Sequence, residues 1–314
     1  MFWPAHCPHF LACRRFVRAV ADPNPLIGLS GGADSLALVA AARAEGKDVL
    51  AVIVDHGLQE DSAEVAARAA EQATALGAGA KVVRVTVAPG NLEAQARAAR
   101  YEALQALAAQ DRRPLWVAHT ADDQAETLVM SVLRGQASAM VKKGEITRPF
   151  LGLRRADTRA ACHELGLTYW DDPMNEDTSF LRVALRKEVF PQIAAYAGFD
   201  PVPGLARAGQ LVAEDRALLD RLADQAYREV CEGESVDVGK LKKQDPAIRR
   251  RVVLTFLRAH GAAVNATILQ SIEALISDWH GQGGVAVGGN SRERLEIVRK
   301  DGKLCVIARR KAQH

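Results

Sequence analysis

Residues 30–35 read Ser30-Gly31-Gly32-Ala33-Asp34-Ser35 and decide the class of fold and of chemistry. They follow a short apolar run and precede an Ala- and Leu-rich stretch, which predicts a strand, a tight turn and a helix. Glycines let the backbone approach a phosphate, and the N–H groups at a helix start form an anion cradle to which Ser30 and Ser35 add hydroxyl donors. Asp34 suits a phosphate site only with an intervening cation, so it implies Mg²⁺. The sequence therefore predicts phosphate binding; the alternative is a strand–helix turn with an Asp or Ser cap.

The alternation of strands and helices around this loop predicts an α/β fold. Short apolar runs indicate buried strands, and the Ala-, Leu-, Glu- and Arg-rich stretches between them indicate helices. Such units join by right-handed crossovers, so we expect a doubly wound, mostly parallel sheet whose strands end at one ligand-binding edge. The predicted strands are residues 25–30, 49–54, 82–87 and 115–118, and the predicted helices are residues 33–44, 62–76 and 92–109.

A smaller, mainly helical C-terminal domain is predicted after the first 200 residues. Prolines and Gly204 cluster at residues 201–204, which places residues 1–200 in a nucleotide-binding domain and residues 204–314 in an accessory domain. Before this boundary we expect helices at residues 157–165 and 178–189, the second closed by Pro191. After it we expect helices at residues 205–232, 245–260 and 265–278, and β-like runs at residues 284–287, 294–298 and 303–308.

Composition and charge exclude several classes of protein. Hydrophobic residues make up 48% of the 314 residues and the net charge is only +3, so a disordered chain is excluded. No apolar run reaches the roughly 20 residues of a membrane span, and the basic, mixed start of the chain does not read as a signal peptide. Five separated cysteines without a CxxC pair predict reduced thiols in a soluble, cytoplasmic protein. Residues 203–314 carry a net charge of +5, which favours a polyanionic partner, with chance as the alternative.

The hexapeptide and several later segments resemble known proteins. Ser30 to Ser35 resembles the SGGxDS signature of the PP-loop ATP pyrophosphatases, which cleave ATP between the α- and β-phosphates and adenylate a substrate. Within that superfamily, the order of the later segments over residues 25–191 resembles the tRNA(Ile)-lysidine synthetase family. Those segments are Val54-Asp55-His56-Gly57-Leu58, His119 to Thr127, Leu133-Arg134-Gly135, Arg148-Pro149-Phe150-Leu151, Asp172-Pro173-Met174-Asn175, and Arg182 with Arg186.

This resemblance implies a ligation in two steps. The O2 atom of the wobble cytidine in a tRNA(Ile) with a CAU anticodon attacks the α-phosphate of ATP, and the ε-amine of free L-lysine then displaces AMP to give lysidine. ATP and Mg²⁺ are the implied cofactors, tRNA(Ile) and lysine are the implied partners, and no membrane is involved. A homodimer is one of the states that the sequence allows.

Asp123 and Glu126 are the candidates for handling the amine. They lie three residues apart and so share a helix face. An amine must be neutral to attack, and paired carboxylates suit binding an ammonium and accepting its proton. A structural alternative is open for Asp123, because Thr120 and Asp123 also match a capping box.

The remaining site residues follow from their positions in the motifs, except Arg249, Arg250 and Arg251, which form a basic cluster in the C-terminal part of the chain; each has a structural alternative. His119 and Asp55 would otherwise bond to backbone or cap a turn, and the arginines would otherwise form solvated basic faces. The predicted catalytic residues are Asp34, His119, Asp123, Glu126 and Arg182, with Asp34 also on Mg²⁺. The predicted nucleotide-binding residues are Ser30, Gly31, Gly32, Ala33, Asp34, Ser35, Asp55 and His56. The predicted tRNA or phosphate contacts are Arg134, Arg186, Arg249, Arg250 and Arg251.

The sequence departs from the family pattern at three places. The loop at residues 135–147 is short, Met174 replaces a Ser, and Val183 replaces an Asn, so roles at these positions are not transferred.

One of the two rival functions is that of another adenylating enzyme of the superfamily, a tRNA thiolase or an amidating synthetase. No cysteine pair lies near the motifs and the chain has no room for a glutaminase, which disfavours it. The other is a non-catalytic nucleotide sensor, which would need neither Asp123 and Glu126 nor the arginines.

Overall fold

The computed structural model describes residues 3–57, 62–86, 92–262, 264–290 and 292–310. The chain forms two compact units, which are Met1–Ala213 and Glu214–His314. Within the described part of the chain, no helix has the length and apolar character needed to cross a membrane.

A five-stranded parallel sheet forms the centre of the first unit. Its order is β3-β2-β1-β4-β5, and Leu26 of β1 pairs with Leu50 of β2 on one side and Leu115 of β4 on the other. The chain moves outward from β1 first in one direction and then in the other, so the topological switch point lies between β1 and β4. The strands are β1 (Leu26–Gly28), β2 (Leu50–Asp55), β3 (Gly79–Arg84), β4 (Leu115–Trp116) and β5 (Ile146–Thr147).

Helices cover both faces of this sheet and confirm the doubly wound prediction. The larger core, with Phe10, Trp116 and Phe150 among its fully buried side chains, lies between one face and α1, α2, α3 and α6. A smaller core on the opposite face packs Leu104 of α4 against Val52 and Leu115. The helices are α1 (Pro8–Arg18), α2 (Ala33–Ala44), α3 (Ser62–Ala75), α4 (Leu92–Gln110), α5 (Ala121–Val132), α6 (Arg155–Glu164), α7 (Leu181–Ala184) and α8 (Phe190–Ala197).

Helix α1, which the sequence pattern did not predict, anchors α6. The first N–H groups of α1 have no capping side chain of their own. Those of His9 and Phe10 donate instead to the carboxylate of Glu164 in α6, at 3.2 and 2.8 Å. Asp157 of α6 also accepts from the His9 ring at 2.9 Å. These bonds hold α6, whose first turn faces the candidate site described below.

The second unit contains an antiparallel sheet as well as helices. Its strand order is β6-β7-β10-β9-β8, and Phe256, Ile272 and Ile297 belong to its buried core. The pattern predicted β8, β9 and β10 but missed β6 and β7, which are short. The elements are α9 (Pro201–Val230, which begins in the first unit), β6 (Cys231–Glu232), β7 (Ser235–Asp237), α10 (Val238–Lys242), α11 (Pro246–Ala259), α12 (Ala266–Ser277), β8 (Val285–Gly289), β9 (Glu293–Lys300) and β10 (Lys303–Arg310).

Prolines account for two differences from the predicted elements. The helix expected to stop before Pro191 continues through it, because a π-helical segment, Leu185–Val189, precedes α8. The Phe190 N–H donates five residues back to Leu185, and the wider turn accommodates a residue that lacks an N–H group. Residues 201–204 form the first turn of α9, where proline is tolerated. Val87, the end of the third predicted strand, and Leu58 lie outside the described residues.

Candidate active site

The hexapeptide forms a closed turn between β1 and α2, as the sequence predicted. Gly31 has φ +82°, a left-handed conformation that glycine adopts without strain. The Ser30 N–H donates to Ser35 Oγ at 3.2 Å, and Ser35 Oγ donates to the Gly32 carbonyl at 2.9 Å. The Trp170 N–H donates to the Gly31 carbonyl at 3.0 Å and fixes the turn from outside. The turn therefore places the N-terminus of α2 at the edge where β1 ends.

Asp34 lies in the first turn of α2 and faces α6. Its carboxylate accepts a hydrogen bond from the Thr158 hydroxyl and lies 3.6 Å from Nε of Arg155. Burial raises the pKa of Asp34 to about 6, and the negative charge of Asp123 acts in the same direction. Arg155 and Thr158 oppose this shift, so Asp34 keeps its charge near neutral pH largely because of its α6 neighbours.

Asp123 and Thr120 form the capping box that was the structural alternative for Asp123. The Thr120 N–H and hydroxyl both donate to Asp123 Oδ2 at 2.8 Å. The other carboxylate oxygen, Oδ1, accepts from Arg155 at 2.7 Å. Burial alone would raise the pKa of Asp123, but Arg155 and the Thr120 donors hold that pKa well below its usual range. Asp123 is thus both a helix cap and a permanently charged member of the site.

Glu126 is buried among three arginines. Its side chain is 1% exposed, and its oxygens lie 3.1 Å from Arg155, 2.9 Å from Arg186 and 3.4 Å from Arg182. The predicted i, i+4 arginines therefore converge on one carboxylate instead of forming a solvated face. Arg155 joins this group to Asp123 and Asp34, so one guanidinium contacts three carboxylates from two other helices.

His119 follows β4 and lies against arginines. Arg148 Nε donates to its Nδ1 at 3.2 Å, and the Tyr101 hydroxyl lies 3.4 Å from its Nε2. Burial and, to a smaller extent, the charges of Arg148, Arg97 and Arg182 lower the pKa of His119 to about 4 against the opposing effect of Asp123. A neutral ring that accepts at Nδ1 carries its proton on Nε2, so His119 is a hydrogen-bond donor at neutral pH.

Asp55 and His56 lie at the end of the neighbouring strand, β2. Asp55 Oδ1 accepts the Gly57 N–H at 2.9 Å, and this bond is the main cause of a lowered Asp55 pKa. His56 Nε2 accepts from Arg100 Nε at 3.2 Å. Asp55 therefore caps the turn, the structural alternative for this residue, while His56 faces Arg100 in the middle of α4.

The other predicted arginines do not belong to this cluster: Arg134 lies elsewhere in the first unit, and Arg249, Arg250 and Arg251 lie in the second. Arg134 is exposed beyond the C-terminus of α5, eleven residues or about 16 Å from Asp123 along the helix. In the second unit, Arg249 pairs with Glu273, and Arg251 pairs with Asp220 at 2.9 Å. Residues 249–251 are consecutive in α11 and point in directions about 100° apart, so they do not form one surface. Arg250 is the exposed member of the three.

Arg155 is the main residue that the sequence reasoning missed. Arg154 and Arg155 stand at the N-terminus of α6, where positive charge is unfavourable unless a carboxylate compensates it. Two arginines at a predicted helix N-terminus therefore indicate, already in the sequence, that carboxylates lie nearby. Arg154 binds both oxygens of Asp122 at 3.1 Å, and Arg155 binds the acidic residues of the site. Thr158, one turn further along α6, carried no comparable signal.

The residues present fit a magnesium ion that is held partly by the nucleotide. The described residues contain no group of three metal-ligating side chains. Mg²⁺ in phosphate sites uses one or two carboxylates, with phosphate oxygens and water as the other ligands. Asp34, next to the anion cradle, provides such a single carboxylate.

Comparison with known proteins agrees with this geometry. The family model of the PP-loop domain matches residues 11–193, and that of the TilS substrate binding domain matches residues 237–305. The tRNA(Ile)-lysidine synthase of Corynebacterium glutamicum is 46% identical over 96% of this chain and 96% of its own length. That of Corynebacterium diphtheriae is 49% identical over 97% of this chain and 99% of its own length. The chain belongs to the tRNA(Ile)-lysidine synthase family.

Among solved structures, the U34-tRNA thiolase NcsA from Methanococcus maripaludis has a TM-score of 0.54 and 16% identity, covering 65% of this chain and 80% of the thiolase. At that identity the likeness shows a shared fold alone. Membership of the lysidine synthase family does not support the rival functions of a thiolase, an amidating synthetase or a nucleotide sensor.

We expect the loss of Arg155 to destabilise this lysidine synthase family member strongly. Arg155→Met leaves Asp34, Asp123 and Glu126 close together without their shared cation, and breaking a buried ion pair costs about 3–5 kcal/mol. Arg159→Met, which removes a half-exposed partner of Asp171, is the control and should cost about 1 kcal/mol or less. Urea unfolding monitored by circular dichroism measures both, and equal small losses would contradict the central role of Arg155.

His119 should remain neutral down to about pH 5. Its pKa is lowered from 6.5 to about 4 in the folded protein, so its contribution to stability is present above pH 6.5 and is lost as pH falls through 4. That contribution is on the order of 3 kcal/mol. Proton NMR of the His119 Cε1–H signal, assigned by its absence in His119→Asn, tests the pKa. Titration of that signal near pH 6.5 would contradict it.

Proposed function

We propose that the protein ligates L-lysine to C2 of the wobble cytidine of a tRNA(Ile) with a CAU anticodon. The reaction passes through an adenylated tRNA and gives lysidine, AMP and pyrophosphate. The observation that carries the proposal is the placement of the Ser30–Ser35 cradle beside the Asp123–Glu126 carboxylates at one sheet edge. A site for ATP phosphates and a site for an amine are then neighbours, as a two-step ligation requires.

In the first step the cradle binds the phosphates of ATP. The N–H groups at the start of α2 and the hydroxyls of Ser30 and Ser35 are the proposed donors. Asp34 would hold Mg²⁺, which neutralises phosphate charge when it is bound. Arg155 and Thr158 keep the Asp34 carboxylate ionised and oriented.

In the second step Asp123 and Glu126 bind the ammonium group of lysine. The lowered pKa of Asp123 makes it a poor proton acceptor, so its role is to hold the ammonium. The proton that the ammonium must lose passes to water, and the neutral amine then forms the bond to C2 as the bond from C2 to the adenylate oxygen breaks and AMP leaves. Arg155 occupies both carboxylates in the structure. Lysine therefore binds in exchange for the Arg155 contacts, one cation replacing another.

The C-terminal residues 204–314 are the proposed tRNA-binding domain, and residues 1–200 are the proposed catalytic domain. Arg250 is exposed next to a basic segment that includes Lys242 and Lys243, both exposed. Arg249 and Arg251 support the fold of that domain through their carboxylate partners. Arg134 is an exposed phosphate contact in this proposal, whereas Arg182 and Arg186 orient Glu126.

Both substrates place the reaction in the cytoplasm, where ATP and tRNA are present. No residue of a second copy enters the proposed chemistry, so the proposal applies equally to a monomer and to a homodimer.

The proposed function is tested by substrate dependence. Wild-type protein should adenylate the CAU tRNA and release pyrophosphate when ATP, Mg²⁺ and that tRNA are present, and it should form lysidine only when lysine is added as well. Asp34→Asn and Ser35→Ala should reduce adenylate formation at least about a hundredfold, since they alter the phosphate cradle. Asp111→Asn, an exposed residue near the opposite sheet edge, is the matched control. Lysine-independent AMP transfer to another acceptor would contradict the proposal.

The role of the arginines in α11 is tested by salt dependence. Arg250→Gln should weaken tRNA binding and reduce the slope of log K against log salt by about 0.9 for each phosphate that is no longer neutralised. Arg251→Gln should instead lower unfolding stability, because it removes the partner of Asp220. Filter binding at several salt concentrations and thermal unfolding separate the two effects. An unchanged slope for Arg250→Gln would remove it from the tRNA surface.

A further inference from the structure

Three arginines stand out among the described residues of the ligand-binding edge, because they have no acidic partner. Neither Arg97, Arg100 nor Arg148 makes an ion pair with a carboxylate of the described chain. The arginines around the site carboxylates are paired with acidic side chains, as Arg154 and Arg155 show. The contrast marks the three guanidinium groups, which lack a carboxylate partner, as a separate feature of the site. Arg148 also donates through NH1 to the carbonyls of Val141 and Ile146, at 3.0 and 3.2 Å, so its NH2 group is the one left for a ligand.

Contacts connect the three arginines to the ends of two strands. Arg148 donates to His119, which follows β4, and the Tyr101 hydroxyl lies 3.4 Å from the other side of that ring. Arg97 NH2 lies 3.5 Å from the Tyr101 hydroxyl and its guanidinium lies over the Tyr101 ring at 5.0 Å. Arg100, one helical turn from Arg97, donates to His56 after β2.

The groups between the arginines do not cancel their charge. Burial lowers the pKa of both His119 and His56, which keeps these two rings uncharged at neutral pH. Desolvation lowers the pKa of Arg100 and of Arg148, and the positive charge of Arg97 lowers both further. Asp172 acts on Arg100 only from beyond ion-pair distance. The positive charge of Arg97 thus repels those of Arg100 and Arg148, an arrangement that an anion would relieve.

We propose that Arg97, Arg100 and Arg148, which surround Tyr101 and His119, form a second phosphate-binding site beside the Ser30–Ser35 cradle. It rests on the proposed function, because the two phosphate sources are the triphosphate of ATP and the RNA backbone. A guanidinium fork binds phosphate oxygens through paired N–H donors. The three positive charges of these arginines complement the negative charge of one or two phosphate groups better than they complement the single negative charge of the lysine carboxylate. The site complements the cradle, which offers backbone amides and hydroxyls but no cationic side chain of its own.

Charge removal at the three arginines tests the proposal in two arms. Arg97→Gln, Arg100→Gln and Arg148→Gln are made singly and in pairs in the full chain, with Arg112→Gln as the control. Arg112 is an exposed arginine just before β4, at the opposite edge of the sheet. One arm measures binding of inorganic pyrophosphate by calorimetry, and the other measures binding of an anticodon stem-loop RNA with a CAU anticodon.

We expect each single substitution to weaken the binding of one of the two probes about tenfold, and each pair of substitutions to weaken it about a hundredfold or more. Weaker pyrophosphate binding identifies the ATP phosphates as the ligand, and weaker RNA binding with a shallower salt slope identifies the RNA backbone. Arg148→Lys, which keeps the charge, should retain more binding than Arg148→Gln, whereas a merely structural role would make the two equal. Thermal unfolding confirms that each variant is folded.

Unchanged binding of both probes, or equal losses in Arg112→Gln, would overturn the proposal. An effect confined to the Michaelis constant for lysine would also overturn it, because the arginines would then bind the lysine carboxylate. Failure of the proposed function is distinguishable, since wild-type protein would then form no lysidine while the arginine variants still show weaker pyrophosphate or RNA binding.

Discussion

The contact of one guanidinium with three carboxylates is the constraint on which the candidate site depends. Arg155 begins α6 and contacts Asp34 in α2 and Asp123 and Glu126 in α5. Without it, three acidic groups would lie together at reduced dielectric, and their mutual repulsion would favour protonation. The pKa values of Asp34 and Asp123 shift in opposite directions because the two carboxylates lie at different distances from Arg155. The Asp34 carboxylate lies 3.6 Å from Arg155 and its pKa is raised, whereas Asp123 accepts the shortest hydrogen bond from Arg155, at 2.7 Å, and its pKa is lowered. The site is therefore preorganised by charge as much as by packing.

Sequence reasoning succeeded where a local pattern determines local structure. The Ser30–Ser35 turn, helix α2 at residues 33–44 and the parallel sheet follow from glycine conformation, helical spacing and strand–helix alternation, and all are present. The helices α11 and α12 were predicted within one residue at each end. The π-segment before Pro191 was not, because whether a proline ends a helix or widens it depends on what packs around it.

The site was predicted less completely, for a physical reason. Motif spacing placed Asp34, Asp123, Glu126, Arg182 and Arg186 at one edge, and these residues do meet there. Spacing does not reveal which charge compensates which, since ion pairs join segments far apart in the chain. Arg155 was missed for that reason, and Asp55, placed by the same motif logic, bonds to its own turn. A run of consecutive basic residues can also suggest a charged surface that does not form. In α11, helical rotation points Arg249, Arg250 and Arg251 in different directions.

The ligand-binding edge of the first unit thus divides into two electrostatic regions with different consequences for binding. Around Arg155 every described carboxylate has a cationic partner, so the proposed lysine ammonium would bind by exchange and gain only the difference between two contacts. Near His119, Arg97, Arg100 and Arg148 lack acidic partners among the described residues, so the proposed phosphate would bind by addition and relieve the repulsion that Arg97 exerts on the other two. Binding by addition is the more favourable of the two. If both substrates use these regions as proposed, phosphate-bearing ligands bind to the free protein more readily than lysine does, and lysine binds after the charge around Arg155 has been redistributed. The order of an adenylation followed by an aminolysis is then consistent with the charge distribution of the protein before any ligand is bound.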